Sequence, residues 1–212
     1  MKEVKTADGS ATCFSDIHGE YYHSLSGAET EAKEKYVKPC GIRPGMIILD
    51  ICFGLGYNSA AAIDAVEGGE LEIFALEQDT EILKKILEIN TNFKKYAIIQ
   101  GAVEQALSGG KIFKQGNVTL RFMLGDARTT IKEVDRKVDA VFLDPFSPKK
   151  NPELWTTGFF RNIRRVMKPD ARLATYSCAR QVRENMKDAG FSVEDTPPWG
   201  RRGPGTLATN IT

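Results

Sequence analysis

Residues 46–66 read MIILDICFGLGYNSAAAIDAV. A short apolar run, Met46–Ile51, gives way to Cys52, Phe53, Gly54, Leu55 and Gly56, and then to a series of small residues. An apolar run that stops at a glycine turn reads as a buried strand, and the alanine-rich run over 58–66 as a helix. Strand, glycine turn and helix make up the opening unit of an α/β sheet with parallel strands. Gly54 and Gly56 let the backbone approach a ligand with no Cβ in the way, and the helix start favours polar or anionic groups. Two familiar uses are excluded. A dinucleotide site takes a third glycine three residues after Gly56, where this chain has Ser59. A Walker A loop takes Gly-Lys-Ser/Thr, a triplet the chain lacks.

The D-x-x-x-G-x-G pattern from Asp50 to Gly56 resembles the cofactor loop of class I S-adenosylmethionine-dependent methyltransferases, with Cys52 where their first glycine usually stands. Further on, LEIFAL over 71–76 ends in Glu77. A carboxylate at a second strand tip offers two oxygens side by side to ribose hydroxyls. Val118–Leu124 (VTLRFML) runs into Gly125 and Asp126, an acid placed to accept from an adenine amino group. Val138–Leu143 ends in Asp144, Pro145, Phe146, Ser147 and Pro148. In open α/β sheets, ligands bind beyond the carboxyl ends of the strands. This last sequence suits an amine. The Asp144 carboxylate and the Pro145 carbonyl accept its N–H bonds, the ring of Phe146 packs on its flank, and proline has no N–H to compete. The plainer reading makes Glu77, Asp126 and Asp144 helix caps at strand ends. Three acids in the order ribose, adenine, methyl acceptor are more specific than any one of them.

The rest of the chain fits around these strands. Further helices are predicted over 79–90, 101–107, 127–134, 157–167 and 181–188, and a strand over 172–176. Phe191–Asp195 and Thr206–Asn210 are predicted to close the sheet as an antiparallel hairpin around the loop 197–205. Residues 108–116 read as a loop or short hairpin arm. The fold class is α/β: a mostly parallel, doubly wound, Rossmann-like sheet with an antiparallel C-terminal edge hairpin. Residues 46–212 form the main domain. Residues 1–45, with an Asp8-Gly9 turn between strand-forming residues and a helix near 29–37, read as a cap segment over its mouth, giving a single domain overall.

The length, 212 residues, suits one such domain. No apolar run is long enough for a membrane span, and MKEVKTADGS has no signal-peptide character. Cys13, Cys40, Cys52 and Cys178 are scattered and, with only two histidines, suggest reduced thiols in the cytoplasm and no metal site. Net charge is +1, but unevenly spread. From Pro145 onward there are twelve Lys/Arg against six Asp/Glu, a net of +6, and residues 1–144 carry a net of −5. Lys149, Lys150, Arg201 and Arg202 belong to this basic half, the kind of face that phosphate binding needs.

Taken together, several motifs resemble the MnmC-type methyltransferases across nearly the whole chain. They are Thr6-Ala7-Asp8-Gly9-Ser10, Tyr22-His23-Ser24, Gly27-Ala28, the run from Asp50 to Asn58, Asp144-Pro145-Phe146-Ser147-Pro148, Lys150-Asn151-Pro152-Glu153-Leu154-Trp155, and Thr175-Tyr176-Ser177. The nearest form is the stand-alone one without the flavin oxidoreductase domain. The resemblance implies a class I methyltransferase acting on the primary amine of 5-aminomethyl(-2-thio)uridine at the tRNA wobble position. It implies S-adenosylmethionine as methyl donor, with no metal and no FAD, and a separate enzyme supplying the aminomethyl group. Carried over, Asp50, Phe53, Gly54, Gly56, Asn58, Glu77 and Asp126 bind the cofactor, as does Glu31 in the Gly-Ala-x-x-Glu stretch. Asp144 and Phe146 stand at the methyl acceptor. The two-domain enzymes have Asp-Gly-Phe where this chain has Asp144-Pro145-Phe146.

A sulfonium methyl is already electrophilic, so the protein's task is to hold a neutral amine in line with it. An Asp144 carboxylate at its ordinary acidity, pKa about 4, is a weak base, which favours an orienting role. Three other readings remain at this level: a methyltransferase of a small amine or a protein, an aminopropyltransferase-like enzyme, and a non-catalytic module that binds cofactor and tRNA. The second wants an acid-rich polyamine channel beside Asp144, and the sequence shows none.

Overall fold

In the computed structural model, which describes residues 1–200 and 203–211, the chain opens with a small antiparallel sheet, β1 (Lys2–Lys5), β2 (Ala11–Ser15) and β3 (Glu20–Tyr21). The Asp8-Gly9 turn joins the first two strands. Gly9 takes a left-handed φ of 85°, and Asp8 Oδ1 accepts from the Ser10 N–H and from the Thr6 and Ser10 hydroxyls. A helix follows in three stretches: α over Ala28–Glu31, π over Ala32–Val37 and α over Lys38–Cys40. It stops at Gly41, left-handed at φ 63°, the usual way to end a helix without a Cβ clash.

The main sheet has eight strands. They are β4 (Met46–Ile51), β5 (Leu71–Glu77), β6 (Ile112–Gln115), β7 (Val118–Leu124), β8 (Val138–Leu143), β9 (Met167–Thr175), β10 (Phe191–Asp195) and β11 (Thr206–Asn210). Their order is β10-β11-β9-β8-β4-β5-β7-β6. The five strands from β9 to β7 are parallel, and β6, β11 and β10 run antiparallel to their neighbours. The chain winds from β4 outward through β5 to β7, then returns to β8 on the other side of β4. That reversal makes the β4–β8 junction the switch point, where ligands of this architecture sit.

Alternate residues of the central strands feed two separate layers. Ile48, Ile73, Leu120, Ala140 and Phe142 pack beneath the helices Tyr57–Ala65 and Tyr96–Leu107 and the N-terminal helix. Ile47, Leu49, Phe74, Leu76, Val141 and Leu173 pack on the other face, under Thr157–Val166 and Arg180–Asp188. This period of two, apolar on both faces, is what a strand covered by helices on both sides requires. Among the described residues no helix is long and apolar enough to cross a membrane.

Several boundaries differ from the sequence reading. The predicted helix over 79–90 spans only Thr80–Ile86: Asp79 is its N-cap, accepting from the Glu81 and Ile82 amides, and the C-cap falls at Leu87. The helix expected over 101–107 begins five residues earlier, at Tyr96, whose buried ring anchors it. The stretch 127–134 is one α turn, Ala127–Thr130, continued as a 3₁₀ turn, Ile131–Glu133. β9 starts at Met167 rather than 172: Pro169 cannot donate to a helix and pushes the residue before it into an extended conformation. Residues 112–115 form β6, so the arm over 108–116 is a true hairpin with β7.

Candidate active site

A cavity of about 460 Å³ opens at the carboxyl ends of β4, β5, β7 and β8, a size usual for a small-molecule site. Cys52, Glu77, Asp126 and Asp144 from the strand tips line it, as do Phe146, Glu31 and a stretch of the N-terminal segment from His18 to Ser24.

The glycine loop is a run of left-handed residues: Cys52 at φ 64°, Gly54 at 56° and Gly56 at 71°. The loop is fastened to β5. The Cys52 and Phe53 amides donate to the Leu76 carbonyl, and the Gly54 amide donates to Glu77 Oε2 at 2.8 Å. Glu77 Oε1 accepts from the Gln78 and Asp79 amides at 2.8 Å each. Burial pushes this carboxyl above its ordinary range, and the three amides pull it back. A carboxylate has about four lone-pair positions, so Glu77 keeps acceptor capacity toward the cavity it lines.

Two residues read as cofactor contacts point elsewhere. Phe53 is turned into the core, edge-on to Phe122 with ring centroids 5.1 Å apart. Asp50 lies inside β4, fully buried, and accepts from the Ser59 hydroxyl at 2.6 Å; among the described residues its Oδ1 has no partner. Burial pushes the Asp50 carboxyl up to about 8. Gly56 answers to packing: a Cβ there would fall 2.8 Å from the Phe53 ring and 2.9 Å from Ile99. Gly54 faces Tyr22, whose ring would stand 3.4 Å from such a Cβ and whose hydroxyl donates to Asp79 Oδ2.

Asp144 follows the last residue of β8, and its amide donates to the Ile51 carbonyl of β4. Tyr36 Oη donates to its Oδ1 at 2.5 Å and Asn58 Nδ2 to its Oδ2 at 3.0 Å. Asn58, read from sequence as a cofactor contact, thus reaches Asp144. Burial, then the neighbouring Glu31 charge, pushes the Asp144 carboxyl up to about 7. The ordinary acidity assumed from sequence does not hold, and a carboxylate near neutrality is a competent proton acceptor. The Tyr36 phenol is held well above its usual range by burial and by the Asp144 charge, so it stays a donor.

Glu31 pairs with Lys35 at 2.7 Å and accepts from the Ser24 amide. Asp126 lines the cavity and also caps the helix after β7, accepting from the Arg128 amide and pairing with its guanidinium at 2.5 Å. The Pro145 carbonyl, read as an acceptor for the amine, takes the Tyr176 hydroxyl at 3.1 Å. Phe146 stacks on His18, with centroids 4.2 Å apart, and its carbonyl accepts from Trp155 Nε1. Ser147 donates through amide and hydroxyl to Glu20, which ties the loop after β8 to the N-terminal sheet. Lys149 and Lys150 are exposed on the turn after Pro148, outside the cavity lining. Arg201 and Arg202 lie outside the described residues. The Cys52 thiol is driven well above its usual range by burial, then by Glu77, which keeps it un-ionised. Sequence reasoning missed Tyr22, His18 and Glu20 as cavity residues, and Tyr36 as the buried donor behind Asp144. Tyr22 lay within a quoted motif, but Tyr36 carried no local signal.

A sequence model described as S-adenosyl-L-methionine-dependent methyltransferase matches residues 93–211. The chain is 32% identical over 209 residues to an uncharacterized protein of Methanocaldococcus jannaschii, covering 97% of this chain and 58% of that one. It is also 32% identical over 214 residues to the tRNA 5-methylaminomethyl-2-thiouridine biosynthesis bifunctional protein MnmC of Ralstonia nicotianae, covering 93% of this chain and 33% of that protein. The chain therefore spans about a third of the length of the bifunctional relatives it matches. Among solved structures, MnmC2 of Aquifex aeolicus superposes with a TM-score of 0.82 at 32% identity, over 99% of this chain and 70% of that one. An Aeropyrum pernix fibrillarin with bound S-adenosyl-L-methionine shares the fold at a TM-score of 0.54 and 15% identity, over 98% of this chain and 92% of that one.

Proposed function

The chain belongs to the S-adenosyl-L-methionine-dependent methyltransferases, in the family of MnmC2, and on that premise we propose that it methylates the aminomethyl group of 5-aminomethyl(-2-thio)uridine at the tRNA wobble position. The carrying observation is that Asp144, a carboxylate held by two donors, shares one cavity with Glu77 and with Cys52 at the start of the glycine loop. Donor and acceptor sites then meet at the switch point of the sheet.

The cavity suits the donor. Its volume is in the range that small-molecule ligands occupy, and Glu77 keeps one acceptor position where the ribose hydroxyls are expected. We assign Gly54 and Glu77 to the adenosyl part, Asp126 to the adenine amino group and Glu31 to the amino-acid end, with Gly56 kept small by the Phe53 and Ile99 packing beneath the loop. The donor supplies an electrophilic methyl on a positively charged sulfur. The protein supplies position and a proton acceptor. An alkylammonium must lose a proton before its nitrogen can attack, and Asp144 near neutrality accepts one more readily than an ordinary carboxylate. Phe146 packs against the base.

On this reading residues 1–45 cap the mouth, since His18, Glu20, Tyr22 and Ser24 all line the cavity. Lys149 and Lys150, with Arg201 and Arg202, grip phosphates flanking a base swung out of its stack. A separate enzyme supplies the aminomethyl group. The test is mass spectrometry of nucleosides after undermodified tRNA is incubated with the protein and isotopically labelled cofactor. The expected product is 5-methylaminomethyluridine or its 2-thio form carrying the label. Label in a small amine or a protein instead, with none in the wobble nucleoside, overturns the assignment.

A further inference from the structure

The N-terminal helix carries a π stretch, Ala32–Val37, between two α turns. π turns inside α-helices are rare and concentrate at functional sites. This one holds Tyr36, whose ring is completely buried edge-on to Phe142 at 5.9 Å while its hydroxyl reaches a carboxylate 108 residues away. A buried phenol needs a partner, but a backbone carbonyl would have served, as it does for Tyr57 and Tyr96. Tyr36 instead spends its one donor on Asp144.

We propose that Tyr36 is a positioning residue for methyl transfer: with Asn58, it clamps the Asp144 carboxylate at both oxygens and fixes the plane in which the acceptor amine is met. Each oxygen then keeps a lone pair for that amine, and the carboxylate cannot rotate away. The proposal rests on the reading that Asp144 faces the methyl acceptor. It also fixes a sign. The Tyr36 and Asn58 bonds favour the ionised carboxylate and oppose the burial that lifts it. The other ionisable groups that act on Asp144 are Glu31 and Lys35 on the same helix as Tyr36, and Asp50 and Cys52 on β4 and its loop; Tyr176, after β9, acts on Tyr36 and bonds the adjoining Pro145 carbonyl.

Tyr36→Phe keeps the ring and removes only the donor. In steady-state kinetics with tRNA and S-adenosylmethionine, kcat at pH 7 is expected to fall roughly tenfold, while cofactor affinity stays within about twofold. The acid limb of the kcat profile should move up by roughly one to two pH units, so that activity largely returns near pH 9. A purely structural role would lower activity evenly across pH, together with the melting temperature. That outcome, or an unmoved limb, overturns the proposal. A second measurement needs no substrate. Carboxyl ¹³C NMR of Asp-labelled protein, with Asp144→Asn assigning the signal, should show the Asp144 midpoint rising by roughly the same amount in Tyr36→Phe. An unchanged midpoint refutes the clamp even if tRNA is the wrong substrate. A moved midpoint with no tRNA methylation by the wild type sustains the clamp and faults the substrate assignment alone.

Discussion

The ends of β4 and β8 lie side by side, and each carries an acid that burial has pushed toward neutrality. They are placed for different work. Asp50 pairs in register with Phe142, so Asp144 stands two residues further along, about 7 Å nearer the carboxyl edge. That single pleat separates a core position from a cavity position. Asp50 has one hydroxyl partner and an idle oxygen, whereas Asp144 has a donor on each oxygen and faces open space. Depth along the strand, more than residue type, decides which acid can meet a substrate.

The sharpest way to break this contrast is to neutralise each acid in turn. If Asp144 serves the acceptor as proposed, Asp144→Asn should lower turnover on the order of a thousandfold with cofactor affinity intact. Asp50→Asn should leave turnover within a few-fold. Single-turnover methyl transfer and calorimetry read both, and equal losses from the two variants would erase the distinction. Next in size is Phe53→Ala. If Phe53 belongs to the core beneath the loop, the change should cost about 3 kcal/mol of unfolding free energy in urea titration. Weakened cofactor binding with unchanged stability would return Phe53 to the cavity side.

The third test uses pH. The Asp50 carboxyl is raised from 3.8 to about 8, so the folded protein holds its proton where the unfolded chain has lost it. Stability from this group is complete below pH 4 and is lost as pH climbs through 8. Wild type should therefore lose stability between about pH 4 and 8, on the order of a few kcal/mol, and Asp50→Asn should reduce that slope, leaving the share that the raised Asp144 carboxyl contributes. Urea titrations at several pH values measure it, and parallel slopes would contradict the assignment. Smaller again is Cys52→Gly. Cys52 is a non-glycine residue at φ 64°, so the change should stabilise the loop by about 1 kcal/mol, seen as a higher melting temperature. Smallest is the double replacement Lys149→Ala with Lys150→Ala. It should flatten the salt dependence of tRNA binding by roughly one to two counterions while cofactor affinity holds, if the loop after β8 serves the acceptor alone.

Much of the fold was legible in the sequence because buried parallel strands are short apolar runs with sharp ends. Met46–Ile51, Val118–Leu124, Val138–Leu143, Phe191–Asp195 and Thr206–Asn210 appear with the bounds their patterns imply. Helix ends were less legible, since caps such as Asp79 and breakers such as Pro169 act one residue at a time. The strand-tip acids Glu77, Asp126 and Asp144 do converge on one cavity, which follows from parallel strands alone. Where side chains point within a loop does not follow: nothing local tells Phe53 to turn inward or Asn58 to reach across to Asp144. Tyr36 was out of reach because its partner lies 108 residues away.

The ties that close the mouth span long stretches of chain. Tyr22 meets Asp79 across 57 residues, Glu20 meets Ser147 across 127, and Ser26 meets Gly200 across 174. Contacts of such separation form only after the intervening loops have been closed, and they add few apolar atoms in return. The first two dozen residues are therefore expected to dock last in folding and to open first at equilibrium. Their amides should exchange with solvent well before those of β4 and β8, which opens the cavity while the sheet beneath stays intact.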